Sequence, residues 1–83
     1  METIEVHNWT DYIEEHPDFT GCLINKYNNK IWFKSGKFHR EDGPAIEYSN
    51  GSKWWCLNNT YYSEQEYRIA MRKIKLERVL RQI

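Results

Sequence analysis

His39 and Asp42, three residues apart, are by type the pair in this 83-residue chain best suited to moving a proton or holding an ion. General acid–base chemistry needs a further group within hydrogen-bond reach. No third partner lies near them in sequence, and no nucleophile follows a strained strand-to-helix elbow. The pair is therefore expected to organise a turn through hydrogen bonds. A zinc site needs three or four closely spaced ligands, and the chain contains no CxxC or HxxxH. Cys22 and Cys56 stand 34 residues apart. The N-terminal stretch Met-Glu-Thr-Ile-Glu-Val is acidic and does not read as a secretory signal. The thiols are accordingly expected to be reduced, in a cytoplasmic protein. With no nucleophile–base–orienter set and no phosphate loop, the expectation is a non-enzyme without metal or cofactor.

The residues that remain able to recognise something are aromatic and basic. The 4 Trp, 6 Tyr and 3 Phe supply much of the area available for a core or a contact. Twelve basic and 12 acidic residues cancel to zero net charge, which argues against a general nucleic-acid binder. The cancellation conceals a gradient. Glu2, Glu5, Asp11, Glu14, Glu15 and Asp18 fill the first 18 residues without a Lys or Arg. From Tyr67 onward, Arg68, Arg72, Lys73, Lys75, Arg78 and Arg81 face Glu77 alone. Head and tail either neutralise each other within one fold or leave a basic helix facing a polyanion. No apolar run approaches the roughly 20 residues of a membrane span.

These residues need elements to hold them, and an internal repeat supplies most of these. Residues 20–39 align with 43–62 at an offset of 23. Leu23 meets Ile46, Lys30 meets Lys53, Trp32 meets Trp55 and Phe38 meets Tyr61. The turn pairs Tyr27-Asn28 and Asn50-Gly51 coincide, as do Ser35-Gly36 and Asn58-Asn59. Asn-Gly is a strong hairpin signal because both turn positions favour positive φ. Each unit reads as strand, turn, strand, turn, short strand, with strands predicted at 22–27, 30–34, 37–39, 45–49, 52–57 and 60–62. The class is α+β: an antiparallel β-meander of two hairpin units, a short N-terminal helix and a longer C-terminal one. Residues 1–83 form one domain, with an acidic head to 19, the hairpin units from 20 to 62 and a basic helix from 63.

The stretch His39-Arg40-Glu41-Asp42-Gly43-Pro44-Ala45-Ile46-Glu47-Tyr48, followed by Asn50-Gly51-Ser52-Lys53 and Trp55, resembles a short repeat of many bacteriophage and some bacterial and giant-virus proteins. That repeat is broadly similar to MORN-type β-hairpin repeats. Residues 30–67 carry the likeness, which departs at Asn59-Thr60, where Gly-Lys is usual. The chain resembles a minimal member with one full copy and one degenerate half-copy. The resemblance implies a β-meander scaffold and a binding role, not an enzyme.

At the head, Asn8 can cap a short helix that Pro17 stops, with Trp9, Tyr12 and Ile13 on one face. Ile4 and Val6 suit a short strand before it. At the tail, Ser63-Glu64-Gln65-Glu66 is a capping box opening a helix that runs to about residue 81. At about 100° per residue, Tyr67, Ala70, Met71 and Ile74 cluster on one side of it. Ile69, Leu76, Val79, Leu80 and Ile83 cluster on the other. The N-terminal helix covers this second stripe, or a partner or second copy does. In the strands, Trp32-Phe33 and Trp54-Trp55 must put aromatics on both sheet faces.

The leading expectation is a small protein-binding module using Trp32, Tyr48 and Trp54 on the sheet and Leu76, Val79, Leu80 and Ile83 on the helix. The phage resemblance suggests an inhibitor of a host defence protein, of the anti-CRISPR kind, that acts by occlusion. The helix stripe also suits a homodimer contact. The alternative is a nucleic-acid binder, with Arg68, Arg72, Lys73, Lys75, Arg78 and Arg81 as the basic surface and tryptophans stacking on bases.

Overall fold

Strand and turn chemistry sets the architecture. A computed structural model describes residues 3–82. Ile83, assigned above to the helix stripe, lies outside the described residues. The elements are β1 (Thr3–Glu5), α1 (Trp9–Glu15), β2 (Gly21–Ile24), β3 (Lys30–Lys34), β4 (Lys37–Phe38), β5 (Ile46–Glu47), β6 (Lys53–Leu57), β7 (Thr60–Tyr62) and α2 (Glu64–Leu80). The strands form one sheet in the order β1-β2-β3-β5-β6-β7, with β4 paired to β3. The fold is α+β, as expected.

The 23-residue offset is a structural repeat. Ile24 pairs with Lys30 as Glu47 pairs with Lys53, and Leu23 with Ile31 as Ile46 with Trp54. Phe33 faces Phe38 as Cys56 faces Tyr61. The turns repeat as well. Asn28 and Gly51 have φ of 63° and 94°, Ser35 and Asn58 both have 50°, and Gly36 and Asn59 have 79° and 67°. Two successive positive φ values give the mirror-image turn that matches strand twist.

The two hairpin units form the expected antiparallel meander, and β1, predicted without a partner, joins it by pairing with β2 in parallel. This is the edge of β2 that a preceding unit would take, so β1 closes the sheet where the repeat stops. Strands predicted at 22–27 and 45–49 end at Ile24 and Glu47. Asn25 Oδ1 accepts the N–H groups of Tyr27 and Asn29, drawing the chain out of the ladder into a turn. Tyr48 and Gly51 close the second turn through backbone bonds.

Alternation along the strands makes two cores. Leu23, Ile31, Phe33 and Ile46 point to one face, where Trp9, Tyr12, Ile13 and Phe19 cover them. Leu57, with Trp55 and Tyr62, points to the opposite face and packs under Tyr67, Met71, Ala70 and Ile74 of α2. Asn8 caps α1 through the Thr10 N–H, and Ser63 and Glu66 form the reciprocal capping box of α2. The inner stripe of α2 is the one its periodicity predicts. The helices lie on opposite faces of the sheet, so α1 does not cover the outer stripe of α2, and that arrangement is excluded.

Candidate functional site

The polar segment between the units is a clamp. The Arg40 guanidinium lies 3.8 Å from the centre of the Trp32 ring. Its Nε donates to Asp42 at 2.9 Å, and its Nη1 donates to the Pro44 carbonyl at 3.1 Å and to Glu47 at 3.5 Å. The Arg40 carbonyl accepts the Tyr67 hydroxyl of α2. His39 Nδ1 accepts the Asn58 N–H at 3.0 Å, so the ring proton sits on Nε2 and donates to Glu41 at 2.8 Å. Glu41 also receives Arg78 of α2 at 2.8 Å. The His39 and Arg78 hydrogen bonds hold the Glu41 carboxyl below its ordinary range. His39 thus spends both nitrogens on the protein, tying β4, the second unit and α2 together. A cavity of about 500 Å³ opens beside this clamp, lined by Thr20, Lys34, His39, Glu41 and Lys75 among others.

The thiols are withdrawn from solvent. Cys22 pairs with Trp32 and points to the α2 face, whereas Cys56 pairs with Tyr61 and points to the α1 face. The two are free and buried, and their opposed directions preclude a bridge without backbone movement. Burial pushes the Cys56 thiol up to about 11 and raises Cys22 as well. Thiolates, the reactive form, are scarce at such values. Among the described residues, no group of three or more His, Cys, Asp or Glu is placed to hold a metal ion. No helix among them is long and apolar enough to cross a membrane.

Two apolar surfaces remain uncovered. The first is on the α1 face of the second unit, beyond the reach of α1. Tyr48, Trp54 and Tyr61 are 40–53% exposed there, around a small recess floored by Ile46. Trp54 and Tyr61 meet edge to face, with ring centres 5.7 Å apart. The structure thus brings Tyr48 and Trp54 together at one recess. Tyr61 was not among the expected residues. Its alignment with the half-buried Phe38, whose ring it matches with an added hydroxyl, is the available signal. Trp32 does not join the patch. Its register with Cys22 places it on the other face, half-buried beneath Arg40.

The second surface is the outer stripe of α2. Ile69, Leu76, Val79 and Leu80 are each 56–59% exposed, and every described residue from Lys75 to Gln82 is exposed. Of the expected basic residues, Arg68 pairs with Glu64 within the helix and Arg78 with Glu41. Arg72, Lys73, Lys75 and Arg81 make no ion pair among the described residues. The stripe and Trp54 stand on opposite sides of the sheet. A single strand of nucleic acid therefore does not meet the basic helix and the exposed tryptophan on one surface.

No protein-family model matches this chain, and no curated protein or solved structure shows significant similarity to it.

Proposed function

We propose that the protein is a small non-enzymatic binding module that docks on another protein through the outer stripe of α2. The observation that carries this is the stripe itself: Ile69, Leu76, Val79 and Leu80, more than half exposed on a helix whose other side is anchored. Exposed contiguous apolar surface marks an interaction site more often than chance. Anchoring lowers the ordering cost of docking, because Tyr67, Met71 and the Glu41–Arg78 pair hold the helix in place beforehand. The Tyr48–Trp54–Tyr61 patch offers a second contact of the aromatic kind favoured at interfaces. The engaged state of His39 and the raised thiols support a binding role over catalysis. The resemblance to phage repeats supports reading the docked protein as a host factor in the cytoplasm, inhibited by occlusion.

The test compares tagged wild type with Leu80→Asp in a pull-down from nuclease-treated host lysate, with circular dichroism to check folding. One protein retained by the wild type and lost by the folded variant is the expected result. Capture that Leu80→Asp leaves unchanged overturns docking through α2. Recovery of nucleic acid with a steep salt dependence brings the basic surface forward instead.

A further inference from the structure

The outer stripe of α2 carries charge as well as apolar surface. Ile69 and Leu76 are seven residues apart, and Val79 and Leu80 follow Leu76 at three and four. This is the spacing of a seam of about three turns that meets another helix. Arg72 and Lys73 stand within about 60° of the middle of that seam, and Lys75 lies at its border. None of the three has an acidic partner among the described residues, although the same helix satisfies Arg68 and Arg78.

From this we propose that the seam receives an acidic amphipathic helix of the partner protein, a proposal that rests on the docking reading above. Carboxylates at the edges of such a helix meet Arg72, Lys73 and Lys75 while its apolar residues meet Leu76, Val79 and Leu80. A second copy of this chain fits worse. It brings the same cations to the same seam, and like charges in close apposition disfavour the pairing. The area points the same way. Four half-exposed aliphatic side chains offer on the order of 400 Å², about half of the roughly 800 Å² that each partner of a stable interface supplies. That suits one helix better than a whole second domain. An anionic bilayer also attracts basic amphipathic helices, but those bury Trp or Phe with their Leu and keep cations on the polar face. This seam has no aromatic residue and holds two cations inside it.

The experiment titrates the intact protein with two synthetic helical peptides of three heptads, both with Leu at the seam positions. One has Glu at the flanking positions and the other has Lys. Binding is read by calorimetry at low salt. The Glu peptide is expected to bind at least about tenfold more tightly than the Lys peptide, with the gap narrowing in high salt. The triple variant Arg72→Glu, Lys73→Glu, Lys75→Glu is expected to reverse the preference. All three positions are exposed, but Lys75 borders the cavity beside Glu41, so circular dichroism checks the fold and the double variant Arg72→Glu, Lys73→Glu is read alongside, with the same reversal expected. Equal affinity for both peptides, or none for either, overturns the proposal. So does binding to phosphatidylserine vesicles without peptide preference, or a dimer in sedimentation that Leu80→Asp dissociates. Loss of a lysate protein in Leu80→Asp without a preference for the Glu peptide removes the acidic partner alone. Lysate capture indifferent to Leu80 removes the docking reading beneath it.

Discussion

The first unit, β2 through β4, and the second, β5 through β7, share a register and share positive φ at matching residues, yet they are covered from opposite sides. In the first, α1 lies over Ile31, Phe33 and Phe38. In the second, the same backbone positions carry Trp54, Cys56 and Tyr61, and no helix lies over them. Ile31 is 4% exposed and Trp54 48%. Polar-tipped aromatics tolerate water at one end, which suits a face left open. The backbone of a hairpin unit is thus set locally by its turns. The residues on each face follow from which terminal helix arrives there.

The sharpest way to break this comparison is to exchange residues between the units. A Cβ on Gly36 would lie 1.8 Å from the Pro17 carbonyl oxygen, because the link from α1 to β2 presses on that turn. The equivalent Asn59 has room for its side chain, and its Oδ1 accepts the Phe38 N–H at 2.7 Å. Gly36→Asn is expected to cost more than about 3 kcal/mol, since backbone must move. Asn59→Gly, the reverse exchange, is expected to lose one hydrogen bond, about 1 kcal/mol. Urea denaturation of both measures the asymmetry, and equal costs would mean that Pro17 does not distinguish the turns. Next in size is the pair of lid positions. Ile31→Ala should cost about 3 kcal/mol by the usual range for buried aliphatics, and Trp54→Ala under about 1. A large loss at Trp54 would show that its ring closes a core rather than an open face.

Much of this was legible because it is local. Asn50-Gly51 and Ser35-Gly36 mark their turns by residue type, the capping box opens α2, and the switch of stripes follows from helical angle alone. The offset of 23 carried over residue for residue. What periodicity does not carry is the side of the sheet on which a helix lands. Alternation puts Trp32 and Phe33 on different faces without naming the covered one. Sequence alone therefore groups Trp32 with Trp54, although Arg40 stacks on the first and leaves the second bare. The parallel β1 was illegible for a related reason, since its pairing depends on a crossover through α1. The polar run at His39 to Asp42 looked chemically dense, and its density serves the junction between the units.

That junction is also where acid should act. Hydrogen bonds from His39 and Arg78 hold the Glu41 carboxyl below its ordinary value of 4.5. A depressed value in the folded state stabilises above the ordinary value, and the contribution is lost as pH falls from about 4.5 toward the folded value. With the carboxyl partly exposed, the effect is about 1 kcal/mol after screening. Glu41→Gln is expected to lower stability by that amount at pH 7 and to flatten the dependence as pH falls below about 4.5. An unchanged pH profile in the variant would show that the tie between the units and α2 lies elsewhere, at Tyr67 and Arg40.

The smallest contrast concerns the first residue of each tight turn, where Ser35 and Asn58 share a φ of 50°. Left-handed backbone costs an ordinary L-residue about 1–2 kcal/mol, and Asn bears it more readily than Ser. The long-range bonds at these positions come from the backbone. The Ser35 N–H donates to Thr20 Oγ1, and the Asn58 N–H to His39 Nδ1, so both survive replacement by glycine. Glycine removes the strain but widens the unfolded ensemble. Ser35→Gly should therefore gain about 0.5 kcal/mol, while Asn58→Gly should stay within about 0.3 of zero. Differential scanning calorimetry of the two variants resolves the difference. A gain at both would place the same strain in both turns. A gain at Ser35 alone would mean that Asn relieves in the second turn a strain that Ser bears in the first, offset there by the link from α1 to β2 that packs against it.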